Sequence, residues 1–173
     1  MVYSEEYSDM NRNGFSLRIY PDTVLRDQAA PVQEITEETA LLIDQMADLM
    51  YAHQGIGLAA PQVGLLRRIV VLDIGEGLLP VINPEILDRE GSESLEEGCL
   101  SLPDIRVEIQ RPLNLTFTGY SPQGKEIRRD IEGLTARVLL HEIDHLNGRL
   151  IIDYVSPVRK ALLKRQLQKL TED

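Results

Sequence analysis

The sequence predicts an α+β fold, with antiparallel or mixed β-sheets wrapped around one central helix, a helix on the N-terminal side and another at the C-terminus. Three observations lead there. A helical pattern near residue 36 is followed by several β-type segments and then by two further helical stretches, an order that reads as α+β. The 173 residues are enough for one domain with a real core and too few for two comfortable ones. The apolar share of 43% and charged share of 27% are those of a folded globular chain.

Residues 1–14, "MVYSEEYSDMNRNG", are polar and acidic and read as a flexible extension. They lack the basic start and apolar stretch of a secretory signal. From Thr36 to Ala52 the pattern is helical. Thr36 suits the N-cap, and Glu37 and Glu38 suit the positive end of the dipole. Ile43, Met46, Ala47 and Met50 fall on one stripe, and the helix should stop near Gly55.

The β-type segments follow. "RIVVLDI" (68–74) is short, apolar and rich in β-branched residues. "LPVINPEIL" (79–87) is strand-like, with Pro80 and Pro84 expected to confine it to an edge or an end. "IRVEI" (105–109) and "LNLTFTGY" (113–120) alternate, and Leu113, Leu115 and Phe117 should share a face. "SPQGK" (121–125) is a turn leading into "EIRRDIE" as a hairpin partner. A second helix is expected from about Thr135 to Asn147, with Gly148 just past its end. A third follows Pro157, with Ala161, Leu162, Leu163, Leu167 and Leu170 as its apolar stripe. The expected organisation is thus an extension over 1–14, a main domain over 15–156 and a C-terminal helix over 157–173.

Charge and cysteine content narrow the partners. No run approaches eighteen apolar residues, so no membrane span is expected. The net charge of −10 offers no global field for phosphate backbones, so DNA is not an expected partner. The segment from Ser156 to Asp173 is different: five basic residues (Arg159, Lys160, Lys164, Arg165, Lys169) stand against Glu172 and Asp173. The one cysteine, Cys99, permits no intrachain disulfide and fits a reducing, intracellular setting.

The chemistry begins at "LLHEIDHLNG" (139–148). His141 and His145 stand one helical turn apart, about 40° around the axis, so both rings leave the same face and can reach one metal ion. Glu142 flanks that face, within reach of a water on the metal. Asp144 lies on the far shoulder, where it is expected to orient a ligand histidine or a backbone group. The pattern points to a metal hydrolase with a general base.

Two histidines do not complete such a site, which uses three protein ligands and an open position. The Glu that some HExxH proteases supply downstream is missing, since only Glu172 follows Glu142, and the third histidine of others is replaced by Ile151. His53 and Cys99 are the remaining candidates. A lone histidine at the polar end of a helix is commonly just solvated. A lone cysteine is commonly a small buried hydrophobe. Beside an HExxH helix that lacks its third ligand, Cys99 is the better choice, with Gly98 allowing close backbone approach and acidic Glu96 and Glu97 alongside. Such a tetrahedral Cys/His/His set reads first as zinc.

Three segments, "GIGLAAPQ" (55–62), "EGCLS" (97–101) and "HEIDHLNG" (141–148), resemble the signature motifs of the peptide deformylase family, in that family's order and spacing. "RIVVLDI", "VINPEIL" and "LIIDYVSP" agree, and the resemblance covers about residues 16–170. It implies removal of the formyl group from formyl-methionine on new polypeptides, with release of formate. It implies Cys99, His141 and His145 as metal ligands and Glu142 as acid and base. Gln62 and the backbone N–H of Leu100 would hold the substrate oxygen. The implied metal is Fe²⁺, with Zn²⁺, Ni²⁺ or Co²⁺ able to substitute.

The substrate backbone is expected to pair with Gly55, Ile56, Gly57 and Leu58 by strand addition. Its methionine would enter a pocket lined by Ile56, Leu134, Val138 and the stem of Arg137. Leu140, where relatives often carry Gln, and Arg137, at a position expected to be apolar, depart from the family pattern. A cytoplasmic monomer is expected; the basic C-terminal helix either docks on the domain with a solvated basic face or, as the resemblance implies, turns toward the ribosome. The rival readings are an HExxH metalloendopeptidase and a non-catalytic, metal-stapled ribosome-binding relative.

Overall fold

A computed structural model describes residues 14–171. The expected extension falls almost wholly on residues 1–13, outside the described residues. The first helix, α1 (Glu37–Ala52), starts where its cap dictates: the Thr36 side chain accepts from the Thr39 backbone, and the Thr39 hydroxyl accepts from the Thr36 backbone. Its stripe of Ile43, Met46, Ala47 and Met50 is buried as expected, together with Leu42 and Leu49.

Two antiparallel sheets follow. The larger has the order β1 (Gly57–Ala59), β2 (Ile69–Leu72), β3 (Leu79–Glu90), β6 (Asn114–Tyr120), β7 (Glu126–Glu132). The smaller pairs β4 (Glu93–Cys99) with β5 (Leu102–Arg111). The β6–β7 hairpin turns at 121–125 as expected, with Gly124 at φ +75° donating to the Ser121 carbonyl.

Between the sheets runs α2 (Gly133–Leu146). It buries Ala136, Val138, Leu139 and Leu146; the last three pack on Ala59, Val70, Leu72, Val81 and Phe117 from the larger sheet. Gly148 follows at φ +69°, and a Cβ there would collide with the Arg26 carbonyl oxygen, so the exit from α2 requires glycine. The last helix, α3 (Pro157–Lys169), is capped by Ser156 and docks Leu163 and Leu167 on the cluster that holds Leu102, Ile105, Val107 and Ile109.

Four expectations change. The "LPVINPEIL" strand is interior, lying between β2 and β6, despite its prolines. A register shift between Ile82 and Glu85 takes Pro84 out of the regular ladder, and Asn83 adopts φ +51° beside it. The β4 strand was not expected, because "ESLEEGC" has neither apolar alternation nor β-branched residues. Leu113 precedes β6 and is 37% exposed, whereas Leu115 and Phe117 are buried. On α3, Leu162 and Ala161 face solvent, so the docking stripe is narrower than the sequence implied.

Candidate metal centre

His141 and His145 leave α2 on one face, with ring centroids 5.1 Å apart. Opposite them, the β4–β5 pairing breaks after Glu97, and the chain turns so that Cys99 pairs with Leu102. This turn presents the thiol to the histidines: Cys99 Sγ lies 3.3 Å from His145 Nε2. The donor atoms of Cys99, His141 and His145 all lie within 4.8 Å of one another. Among the described residues no other group of this kind forms, and His53, the rival third ligand, stays at the end of α1. One soft thiolate and two imidazoles, with room for a fourth corner facing a cleft, fit a divalent transition metal.

Behind His141 stands Glu97. Its carboxylate accepts from Arg111 Nε at 2.6 Å and Arg111 Nη2 at 2.9 Å, and from Arg137 Nη1 at 2.8 Å. Burial alone would raise the pKa of Glu97, but the bonds from Arg111 and then His141 override it and hold the group at about 2. Glu97 is therefore an acceptor only. His141 Nδ1, 3.0 Å from Glu97 Oε2, must carry the proton and donate it. With the proton of the neutral ring held on Nδ1, Nε2 is the nitrogen whose lone pair an ion would take.

Arg111 also donates to Asp144 at 2.9 Å, and Tyr154 donates to the same oxygen at 2.7 Å. Asp144 thus does not orient a histidine directly, as expected from its helical position. It acts two bonds away, by steadying the arginine that grips Glu97. Arg137 is 5% exposed, and its remaining bonds go to the carbonyls of Ile109 and Glu93. A buried cation stands where an apolar residue was expected because Glu97 needs a second counter-charge.

The catalytic candidates sit on the other side of the donor triangle. Glu142 is 3% exposed, its Oε2 has no partner, and burial lifts its pKa to about 7. It packs against Gly57, where a Cβ would collide with Glu142 Oε1 and lie 2.7 Å from Val138. Glycine at 57 is thus required by the carboxylate behind the strand, a cause not evident in the sequence. Gln62, in the turn Ala60–Val63, is 1% exposed; its Oε1 accepts from the Ala59 N–H at 2.9 Å, and its Nε2 donates to Ser101 at 3.1 Å.

A cleft of about 390 Å³ opens over these groups. Gly55, Ile56, Gly57, Gln62, Cys99, Leu100, Leu134, Arg137, Val138, His141 and Glu142 line it. Ile56 and Leu134 stand at its rim, 43% and 47% exposed. The Leu58 side chain is fully buried in the core, so only its backbone is free to meet a ligand.

No role was assigned to Glu97, Arg111 or Ser101 from the sequence. A signal existed for Arg111: in "IRVEIQR" it continues the alternation of Ile105, Val107 and Ile109 and so falls on the buried face. Glu97 and Ser101 stand inside the "EGCLS" motif, but nothing local in the sequence assigned either a role.

An α+β domain holding a Cys/His/His triangle beside a buried carboxylate defines a mononuclear metallohydrolase. A family model described as polypeptide deformylase matches residues 15–161. Peptide deformylase of Thermotoga maritima is 44% identical over 157 residues, covering 90% of this chain and 96% of that protein. The Halothermothrix orenii enzyme is 48% identical over 149 residues, covering 85% and 97%. The crystal structure of a peptide deformylase from Legionella pneumophila superposes with a TM-score of 0.86 at 38% identity, covering 91% and 95%. The chain belongs to the polypeptide deformylase family. Among the described residues no helix is long and apolar enough to cross a membrane.

If Glu97 orients His141 as described, Glu97→Gln loses anionic support at the ligand and weakens metal binding by about tenfold to a hundredfold. Competition with a chromophoric chelator measures this; an unchanged affinity removes Glu97 from the metal site.

Proposed function

We propose that this chain hydrolyses the formamide of formyl-methionine at the N-terminus of newly made polypeptides, releasing formate, with Cys99, His141 and His145 holding Fe²⁺. The same donors can accept Zn²⁺, Ni²⁺ or Co²⁺. The observation that carries this reading is the gathering of those three donors within 4.8 Å, with Glu142 beside them in the cleft. When bound, the cation supplies Lewis-acid polarisation and lowers the pKa of a coordinated water.

The chain's own residues do the rest. The Glu142 carboxylate takes a proton from the attacking water and returns it to the departing amine nitrogen. As the formyl carbon becomes tetrahedral, Gln62 Nε2 and the Leu100 N–H donate to its oxygen. Extended peptide runs beside Gly55–Leu58, and the methionine side chain occupies the cleft between Ile56, Leu134, Val138 and the Arg137 stem. Selectivity for formyl over acetyl follows from a reacting site cramped enough to exclude a methyl group.

The catalytic unit spans residues 15–156 and α3 is an appended helix. All five of its basic residues are exposed, beside exposed Val158 and Leu162. We place the enzyme in the cytoplasm as a monomer, with this face turned toward ribosomal RNA, where formylated chains emerge.

Formate release from formyl-Met-Ala-Ser by anaerobically purified protein tests the activity. Glu142→Ala should lower kcat by about a thousandfold while retaining metal; a variant that keeps more than a tenth of parental kcat defeats the assigned role. Reversing Arg159, Lys160, Lys164 and Arg165 to Glu should weaken co-sedimentation with ribosomes at least tenfold and flatten its salt dependence. Equal binding by parent and variant rules out α3 as the contact.

A further inference from the structure

A carboxamide has two ends of nearly equal shape, and hydrogen bonds alone decide which way it faces. For Gln62 to present an N–H to a substrate oxygen, its amide must be prevented from flipping and from rotating. The first is settled by the Ala59 backbone: its N–H at 2.9 Å can be answered only by Oε1. This leaves Nε2 with two protons. One is donated to Ser101 Oγ, 3.1 Å away; the other is donated weakly to Cys99 Sγ at 3.8 Å, a long contact that a substrate oxygen can replace.

Gln62 is 1% and Ser101 0% exposed, so solvent is excluded from this pair. Ser101 is itself placed by the turn that carries Cys99, and its carbonyl accepts from the Tyr20 N–H at 2.9 Å. One short turn therefore holds the thiol, the Leu100 N–H and the hydroxyl at fixed separation. We propose that Ser101 is a positioning residue for the deformylase reaction: its Oγ takes one Nε2 proton of Gln62 and so directs the other, past Cys99, at the formyl oxygen. The idea rests on the substrate reading above. The competing reading is that Ser101 is a buried hydroxyl that merely found an acceptor or donor.

Removing an oxyanion donor outright costs about a hundredfold to a thousandfold in rate. A donor that remains but is misdirected loses part of that. Ser101→Ala should therefore lower kcat on formyl-Met-Ala-Ser by about tenfold to thirtyfold, with KM within about twofold of the parent. Metal per chain should equal that of the parent. In a Gln62→Ala background the same substitution should change kcat by less than about twofold, because nothing is left to position. Ser101→Thr, which keeps the hydroxyl, should stay within about threefold of the parent.

Several outcomes overturn the inference: parental kcat in Ser101→Ala, losses that multiply in the double variant, metal lost in step with activity, or a Thr variant as slow as the Ala variant. The parent is the control. A parent that releases no formate defeats the proposed function, whereas an active parent with an unimpaired Ser101→Ala variant defeats this inference alone.

Discussion

The carboxylate of Glu97 is the contact on which the site depends. It comes from β4, yet it grips a histidine on α2, and two arginines from β5 and α2 hold it in place. An uncompensated buried charge destabilises a protein by about 3–5 kcal/mol. Four charged groups, Glu97, Asp144, Arg111 and Arg137, balance one another here. The small sheet is thereby locked to the central helix at one spacing, and that spacing sets the distance between Cys99 and the histidine pair. The network serves geometry: it ties donors from two remote parts of the chain into one triangle.

On the far side of the triangle the constraint is steric. Glu142 needs to be near the ligands without becoming one, and it is wedged against β1 at Gly57. A strand with a side chain there would push the carboxylate away or be pushed off itself. On the proposed reading, the glycine serves the acid–base carboxylate as much as the peptide groove. Gln62 lies just beyond β1, fixed by Ala59, so one edge strand sets the peptide groove, the carboxylate and the amide together.

What was legible in the sequence follows from how local each feature is. The two histidines and Glu142 were readable because helical spacing alone puts the rings on one face and the carboxylate on its flank. Cys99 was readable only by elimination, as the partner the helix lacked, and Gln62 and Leu100 only through the family's motifs. The role of Glu97 was not readable, although "EGCLS" contains it, because that role needs β4 to pair with β5 and both to close on α2. The interior placement of β3 was missed for a similar reason, since a bulge at Asn83–Pro84 relieves the constraint that proline normally imposes. Leu113 and Leu162 show the converse, apolar residues whose periodicity suggested burial but which sit just beyond the reach of the core.

X-ray absorption at the metal edge of anaerobically purified protein reads the donor set of Cys99, His141 and His145 itself. One sulfur scatterer at about 2.3 Å, two imidazole shells at about 2.1 Å and a light exchangeable fourth ligand are expected. A spectrum without sulfur, or one with four protein donors and no exchangeable position, contradicts that donor set.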